Sequence, residues 1–162
     1  MLPVIWVICA VVIVAAAVRA RRSRRAARVG RWAVAVLFLG AGALVNVIFL
    51  ATGDDYAEFA DGAYIRFVGD TWRDLVVPNH HLFISLLIAF ETVVGVLMIA
   101  GGRRAQLGLV AAIAFHVALL SFGWGFYLWS VPMIAAFGLL LRAARQPSSM
   151  NVAAVIHHAK AA

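Results

Sequence analysis

Residues Leu82–Gly102, LFISLLIAFETVVGVLMIAGG, form a 21-residue apolar stretch whose single charged residue is Glu91. A helix needs about 20 mostly apolar residues to cross a bilayer, because the hydrocarbon core is about 30 Å thick and each residue rises about 1.5 Å. The stretch is therefore predicted to be a membrane-spanning helix. Arg103 and Arg104 follow directly and mark its end.

Two apolar stretches precede this one. Leu2–Val18 and Ala33–Thr52 contain no charged residue over 17 and 20 residues. Leu2–Val18 has the length of a signal peptide, but signal peptides carry positive charge before the apolar segment, and here Arg19 follows it. Residues 1–18 are therefore predicted to be a retained N-terminal transmembrane anchor.

A longer apolar run, Leu107–Leu141, follows the stretch Leu82–Gly102. It is too long for one spanning helix, and it contains the helix-interrupting segment Gly123–Gly125 and Pro132. We divide it into two spans, Leu107–Gly125 and Phe126–Leu141, which brings the predicted total to five.

The charges support five spans. Twelve basic residues lie in segments 19–31, 103–104 and 142–160, whereas six acids lie in segment 54–74. Basic residues of short loops stay in the cytoplasm. A five-span topology places every strongly basic segment in the cytoplasm. A four-span topology would place Arg142 and Arg145 on the other side of the membrane from Arg103 and Arg104. We expect a multi-pass protein of the cell membrane, with its N-terminus and segment 53–80 outside and its C-terminus inside.

The composition excludes an ordinary soluble domain. Of 162 residues, 65% are hydrophobic and 13% are charged, against about 45–50% and 25% in soluble proteins. The single cysteine, Cys9, forms no intramolecular disulfide. The net charge of +7 is interpreted as a topology signal and as attraction to anionic lipids, not as nucleic-acid binding. The predicted headgroup contacts lie in the Arg-rich linker 19–31 and are Arg21, Arg22, Arg24, Arg25 and Arg28.

The segments outside the spans have less distinct patterns. In segment 53–80, Tyr56, Phe59, Ala63 and Phe67 recur at helix-like steps, which predicts an amphipathic helix on the outer surface that caps the bundle or covers a site. Residues 143–162 are predicted to be a cytoplasmic tail.

Glu91 is the most informative residue, because a charge near the bilayer centre costs about 2.5–3.5 kcal/mol and calls for a partner or a proton. His116 lies nine residues into the next predicted span, which is antiparallel to that of Glu91, so the two side chains are expected at a similar depth. Three roles stay open for this pair: polar contact between helices, binding of a ligand or redox partner, and proton relay.

A second polar layer is predicted nearer the outer face from Asn46, Ser85 and Ser121, with the mouth residues His80, His81 and Trp72 beside it. With Glu91 and His116, these side chains would line a cavity that narrows inward. The alternatives are routine hydrogen bonding between helices and, for Trp72, packing in the core.

Several reaction types find no support in the sequence. It contains no Gly-x-Ser-x-Gly elbow, phosphate-binding loop, Cys-x-x-Cys pair or His-Glu-x-x-His motif. An autonomous enzyme and a metal site are therefore not expected, although Glu91 and His116 could serve a composite site.

The stretch Phe90–Leu109, FETVVGVLMIAGGRRAQLGL, resembles the signature of DoxX-like membrane proteins: an acid, a glycine four residues on, a Leu-rich helix end, Gly-Arg-Arg and a small-residue helix. The resemblance covers residues 32–142 and matches best at Glu91 and Gly95. It implies an all-α protein with a four-helix transmembrane bundle, to which residues 1–18 add one helix. It also implies a redox-associated membrane subunit, with a quinone as the candidate cofactor.

We therefore expect a redox-associated subunit, or a binder of a quinone-like or lipidic molecule, anchored by Glu91 and His116. The alternatives are a non-catalytic accessory subunit and a small transporter. The expected partners are the bilayer, a membrane or peripheral protein and, as a further candidate, a second copy of the chain.

Overall fold

The computed structural model describes residues 2–146, and every regular element among them is helical. The helices are α1 (Leu2–Ala20), α2 (Arg24–Val36), α3 (Val45–Ala51), α4 (Glu58–Gly62), α5 (Arg66–Thr71), α6 (His80–Ala100), α7 (Gly102–Leu119) and α8 (Trp124–Arg145). Segments of π-helix occupy Leu37–Leu44 and Trp72–Val76, and 3-10 turns occupy Val77–Asn79 and Leu120–Phe122. Most of the expected tail, residues 147–162, lies outside the described residues.

Within the described residues, four continuous helices are long and apolar enough to cross a membrane: Arg24–Ala51, Arg66–Ala100, Gly102–Phe122 and Trp124–Arg145. The apolar part of α1, Val4–Ala20, is shorter. The predicted all-helical fold with several membrane-type helices is thus confirmed. The count of five spans and the orientation stay predictions.

The bundle has two ends, which differ in charge. Gln106 donates a hydrogen bond to the Ala144 carbonyl at 3.0 Å, so the start of α7 lies beside the end of α8. We call this the basic end, and it includes the turn 21–23 between α1 and α2. At the other end, the Tyr64 N–H donates to the Ser121 carbonyl at 3.2 Å. We call it the acidic end, because segment 54–74 lies there.

Helix α1 belongs to the core of the bundle rather than standing beside it. Its Cys9, Ile13 and Ala17 are buried in the main hydrophobic cluster together with residues of α2, α7 and α8. A Cβ atom at Gly30 would lie 2.8 Å from Leu140 and 3.2 Å from Ala16, so α1, α2 and α8 meet closely at this glycine. Such small residues let helix backbones approach in a membrane.

The long apolar helix Arg24–Ala51 changes to π-helical geometry over Leu37–Leu44. In such a segment each N–H bonds to the carbonyl five residues earlier instead of four, and π-helical segments are rare and often lie at functional sites. The indole N–H of Trp6 donates to the Ala41 carbonyl at 2.8 Å, so α1 supports the irregular segment. Leu39 packs directly on Gly95 of α6, where any larger residue would collide with it.

Segment 53–80 differs from the single surface helix that its spacing predicts. The structure has two short helices, α4 and α5, and α5 continues through Val76 and Asn79 into α6. Phe67, expected on the apolar face, is 76% exposed, whereas Tyr56 is 5% exposed. The period-four pattern is interrupted because Ile65 and Ala63 adopt extended backbone between the two helices.

The long apolar run 107–141 is divided within the predicted segment Gly123–Gly125. The break lies at Gly123, and α8 begins at Trp124, two residues before the start expected at Phe126. Its φ of +114° lies in the region that favours glycine. Pro132, which we also considered as a breaker, lies within α8, and the helix continues through it to Arg145. Helix α7 begins at Gly102, five residues before the start expected at Leu107.

Candidate functional site

Glu91 lies on the buried face of α6 with 5% of its surface exposed. It is ten residues from Gly101, or about 15 Å along the helix from the basic end. The side-chain amide of Asn46 donates a hydrogen bond from Nδ2 to Oε2 of Glu91 at 2.9 Å. The predicted intramembrane acid is thus buried, and its hydrogen-bond partner is an amide on α3.

Space for the Glu91 carboxyl group comes from a glycine of the π-helical segment. A Cβ atom at Gly42 would lie 2.5 Å from Oε1 and 2.8 Å from Cδ of Glu91. Gly42 and Asn46 are four residues apart, so both present to the same side of their helix. Together they form a recess that fits one carboxyl group.

Tyr56 extends this arrangement toward the acidic end. Its hydroxyl group donates to the backbone carbonyl and to Oδ1 of Asn46, at 3.2 Å each. The donors therefore run in one direction, from the phenol to the amide and from the amide to the carboxyl group, and such chains polarise one another. Burial, reinforced by the carboxylates of Asp54 and Glu91, raises the pKa of Tyr56 to about 12. The phenol consequently keeps its proton at neutral pH.

An aromatic cap, which we define as Tyr56, Phe59, Trp72, Phe122 and Phe126, covers this network at the acidic end. The Trp72 indole N–H donates to the Tyr56 carbonyl at 2.8 Å. The Trp72 ring lies 4.9 Å from that of Phe122 at an interplanar angle of 82°, which is a favourable edge-to-face contact. The predicted mouth residue Trp72 is therefore part of a packed cover.

His116 lies in a different environment from Glu91. It is 2% exposed, and its Nδ1 is 2.9 Å from the Ala112 carbonyl one turn earlier. The rings of Phe38, Phe115 and Phe137 surround it with centroids 5.1–6.2 Å away. Its Nε2 is buried with no hydrogen-bond partner among the described residues.

The expected pairing of Glu91 with His116 is not formed as a hydrogen bond anywhere in residues 2–146. The reason is the early start of α7 at Gly102. His116 is fourteen residues beyond it, or about 21 Å along the helix, against about 15 Å for Glu91. The similar depths of Glu91 and His116 were predicted on the assumption that α7 begins at Leu107. The additional residues at the start of α7 move His116 about one turn further from the basic end than Glu91.

Among the other predicted site residues, Asn46 alone hydrogen-bonds to Glu91 within residues 2–146. Ser85 is exposed on α6, and the Ser121 hydroxyl donates to the Ala118 carbonyl of its own helix at 2.7 Å. His80 bonds with the Val77 carbonyl at 2.8 Å, and its ring lies 4.3 Å from that of His81. Within residues 2–146, none of these four side chains hydrogen-bonds to Asn46 or Glu91, and the layer of Asn46, Ser85 and Ser121 stays a prediction.

Two members of the site were not identified from the sequence. Gly42 is not among the site residues that the sequence singles out, and Tyr56 was expected only as one position of a surface helix. The four-residue spacing of Gly42 and Asn46 was a usable signal, because it places an amide and an open position on one helix face. Nothing in the sequence pointed to Tyr56, whose positive φ of 60° lies in a turn held by Asp54.

The five predicted headgroup contacts lie at the basic end, around the turn between α1 and α2. At the Glu91 site, a buried carboxyl group, an amide and a phenol can exchange hydrogen bonds with carbonyl or hydroxyl oxygens of a bound molecule. Among residues 2–146, no three His, Cys, Asp or Glu side chains converge as metal ligands. No protein-family model, curated protein or solved structure matches this chain, so its function is argued from this geometry.

Proposed function

We propose that this protein is an integral membrane protein that binds a small lipid-soluble molecule bearing carbonyl or hydroxyl oxygens, of the quinone-like or lipidic kind. The observation that carries the proposal is the Glu91 carboxyl group, buried in a membrane-type helix and bonded to Asn46. Buried ionisable groups in membrane helices are costly and mark functional sites. Glu91 is the polar anchor of the proposed site.

The chemistry of the anchor suits such a ligand. One N–H of the Asn46 amide is used by Glu91, which leaves the second N–H as a donor for a ligand carbonyl. A ligand hydroxyl group could instead donate to the Glu91 carboxyl group. Asn46 is half-buried, so a ligand reaches it from the surface of α3 rather than through the aromatic cap.

A redox role is the more specific part of the proposal, and it rests on the resemblance of Phe90–Leu109 to DoxX-like proteins. In that role, the ligand is a quinone and the chain is a membrane subunit beside a redox enzyme. His116 is a second candidate contact, because its Nε2 is buried without a partner among the described residues.

The orientation belongs to the proposal as well: five spans, with the acidic end outside and the basic end in the cytoplasm. In a Cys9→Ser background, intact cells treated with a membrane-impermeant maleimide should label the Asp55→Cys variant. The Arg21→Cys variant should be labelled only after permeabilisation. Labelling in the reverse order would show the opposite orientation.

The binding experiment uses the full chain purified in mild detergent. Bound molecules are extracted with organic solvent and identified by mass spectrometry, and added quinone is titrated by its quenching of tryptophan fluorescence. Glu91→Gln should weaken binding about tenfold, because an amide NH2 group replaces one carboxyl oxygen that can accept a hydrogen bond. Thr92→Val is the matched control, because Thr92 is exposed beside Glu91 and bonds to Ile88 of its own helix.

A structural role is the second candidate, and a specific observation favours it. The hydrogen bonds from Glu91 through Asn46 and Tyr56 to Trp72 tie α3, α6 and segment 52–57 together. If purified protein carries no ligand, binds no added quinone, and Glu91→Gln changes stability alone, the ligand proposal fails. Recovery of a stoichiometric protein partner would then support an accessory subunit.

A further inference from the structure

Arginines gather at the basic end of the bundle without acidic side chains beside them. The eleven within the described residues are Arg19, Arg21, Arg22, Arg24, Arg25, Arg28, Arg31, Arg103, Arg104, Arg142 and Arg145. Of the seven Asp and Glu residues in the chain, six lie in segment 54–74 and the seventh is Glu91. The basic end therefore carries a strong positive charge, while the acidic side chains lie elsewhere in the chain.

A groove of about 290 Å³ opens among these arginines. Helix α2 forms one wall with Arg28 and Arg31, and the start of α7 at Gly102 forms the opposite wall. The floor is apolar and consists of Met98, Leu109 and Leu140. The groove thus combines a cationic rim with an apolar base.

Arg31 is held in place at the rim. Its guanidinium group packs against Gly101, where any side chain would collide with Nη1. Its Nε is buried and has no hydrogen-bond partner within residues 2–146. Arg28 lies three residues earlier and lines the same groove, so two cations face one volume.

The opposite wall also favours an anion. Helix α7 has 18 residues and begins at Gly102, after the cap position Gly101, which offers no side chain to accept hydrogen bonds from the first N–H groups. The N-terminal end of a helix carries about half a positive charge and binds phosphate groups. This end adds to the field of the two arginines.

We infer that this groove binds an anionic phospholipid, with its phosphate group between Arg28, Arg31 and the start of α7 and its chains along the apolar floor. A lipid fits better than free phosphate because Met98, Leu109 and Leu140 offer contacts that an ion cannot use. The site lies at the end of membrane-type helices, where lipid headgroups are found.

The inference does not depend on the proposed function at Glu91, which lies seven residues from Met98 on α6. The test is native mass spectrometry of the full chain in detergent with added palmitoyl-oleoyl phosphatidylglycerol or the phosphatidylcholine with the same chains. Phosphatidylglycerol should bind at a 1:1 ratio, and phosphatidylcholine should bind at least about tenfold more weakly. Equal binding of the two lipids would overturn the inference.

A charge-matched pair of variants separates a site from diffuse attraction. Arg28→Gln with Arg31→Gln should raise the Kd for phosphatidylglycerol about tenfold or more. Arg142→Gln with Arg145→Gln removes the same charge from the exposed end of α8, outside the lining of the groove, and should change Kd less than twofold. An equal loss in both pairs, or none in either, would overturn the site.

Two further variants complete the test. Ala27→Leu narrows the groove from α2 without changing the charge and should also weaken phosphatidylglycerol binding; unchanged binding would contradict the inference. Glu91→Gln should leave phosphatidylglycerol binding in the groove unchanged, whatever its effect on ligand binding at the Glu91 site. Inorganic phosphate at the lipid concentration should not displace the lipid, and displacement would show that the apolar floor contributes nothing.

Discussion

Gly42 faces the carboxyl group of Glu91 so closely that a Cβ atom on Gly42 would lie 2.5 Å from Oε1. This contact joins two unusual features, an acid buried in a membrane-type helix and a π-helical segment in the neighbouring helix. Gly42, in the π-helical segment, and Asn46, at the start of α3, both contact this carboxyl group, one as open space and the other as a donor. The irregular backbone and the buried acid therefore form one site.

Replacement of this glycine should disturb the site. We expect Gly42→Ala to destabilise the protein by about 1–3 kcal/mol, because the added methyl group displaces the Glu91 carboxyl group in a packed interior. Unfolding in detergent can be followed with a thiol-reactive dye, since the single cysteine, Cys9, is buried and reacts when the bundle opens. The apparent melting temperature of Gly42→Ala is compared with that of the unmodified protein.

Gly40→Ala is the matched control, because Gly40 lies in the same π-helical segment and a Cβ atom there would meet nothing within 4 Å. Its melting temperature should stay within about one degree of the parent, or rise, since alanine favours helix. Equal losses in the two variants would show that the segment tolerates no side chain, independently of Glu91.

Tyr56 makes the network sensitive to alkaline pH. Its pKa is raised from 10.0 to about 12, so the stability that its protonated hydroxyl contributes is complete below pH 10 and is lost as the pH rises toward 12. Tyr56→Phe should cost about 1 kcal/mol at pH 7, because the hydrogen bonds to Asn46 disappear. The difference from the parent should shrink above pH 10.

This dependence is measured from melting temperatures of the parent and Tyr56→Phe between pH 7 and pH 11. Tyr64→Phe is the control for loss of one phenol, because the Tyr64 side chain is 60% exposed. A parent-to-variant difference that stays constant to pH 11 would argue against a stabilising role for the Tyr56 proton.

The long apolar helices could be predicted because hydrophobicity and length decide them, and the break at Gly123 followed from a glycine-containing segment; the other break lies at Gly101, because Arg103 and Arg104 belong to α7. Glu91 could be identified because a lone acid in an apolar helix needs a special environment. Its partner could not, because contact depends on where α7 begins and on rotation about each helix axis. An error of five residues at the start of α7 was enough to favour His116 over Asn46.

The π-helical segment had no sequence signal that we could use. Leu37–Leu44, LFLGAGAL, is compatible with an ordinary α-helix, and the change in geometry depends on tertiary support from Trp6 and on Leu39 packing against Gly95. Segment 53–80 was predicted too simply for a related reason. Its aromatic residues at helical spacing pack into the aromatic cap, which involves Phe122 and Phe126 from elsewhere in the chain.

Trp6 should stabilise the π-helical segment from α1. Trp6→Phe keeps an aromatic ring but removes the donor to the Ala41 carbonyl, and we expect a loss of about 0.5–1.5 kcal/mol. Trp32→Phe is the control, since Trp32 is 47% exposed and donates no hydrogen bond within residues 2–146. If the two variants have the same melting temperature, the hydrogen bond from Trp6 to the Ala41 carbonyl does not stabilise the protein, and the loss comes only from the smaller ring.

The turn at Gly123 should be the most sensitive position at the acidic end. Its φ is +114°, and a side chain there would collide with the carbonyl oxygen of Gly62, so α4 packs against bare backbone. We expect Gly123→Ala to cost more than about 1 kcal/mol, because it combines backbone strain with the collision. Gly125→Ala, two residues later with nothing within 4 Å of the added methyl group, should leave the melting temperature nearly unchanged. Dye labelling of Cys9 gives both values. Iodide quenching of tryptophan fluorescence, compared with the same variant carrying Trp72→Phe, isolates Trp72 from the other four tryptophans and shows whether the aromatic cap has opened. If Gly123→Ala has the same melting temperature as Gly125→Ala and Trp72 stays protected from iodide, the contact between α4 and this turn does not hold the aromatic cap in place.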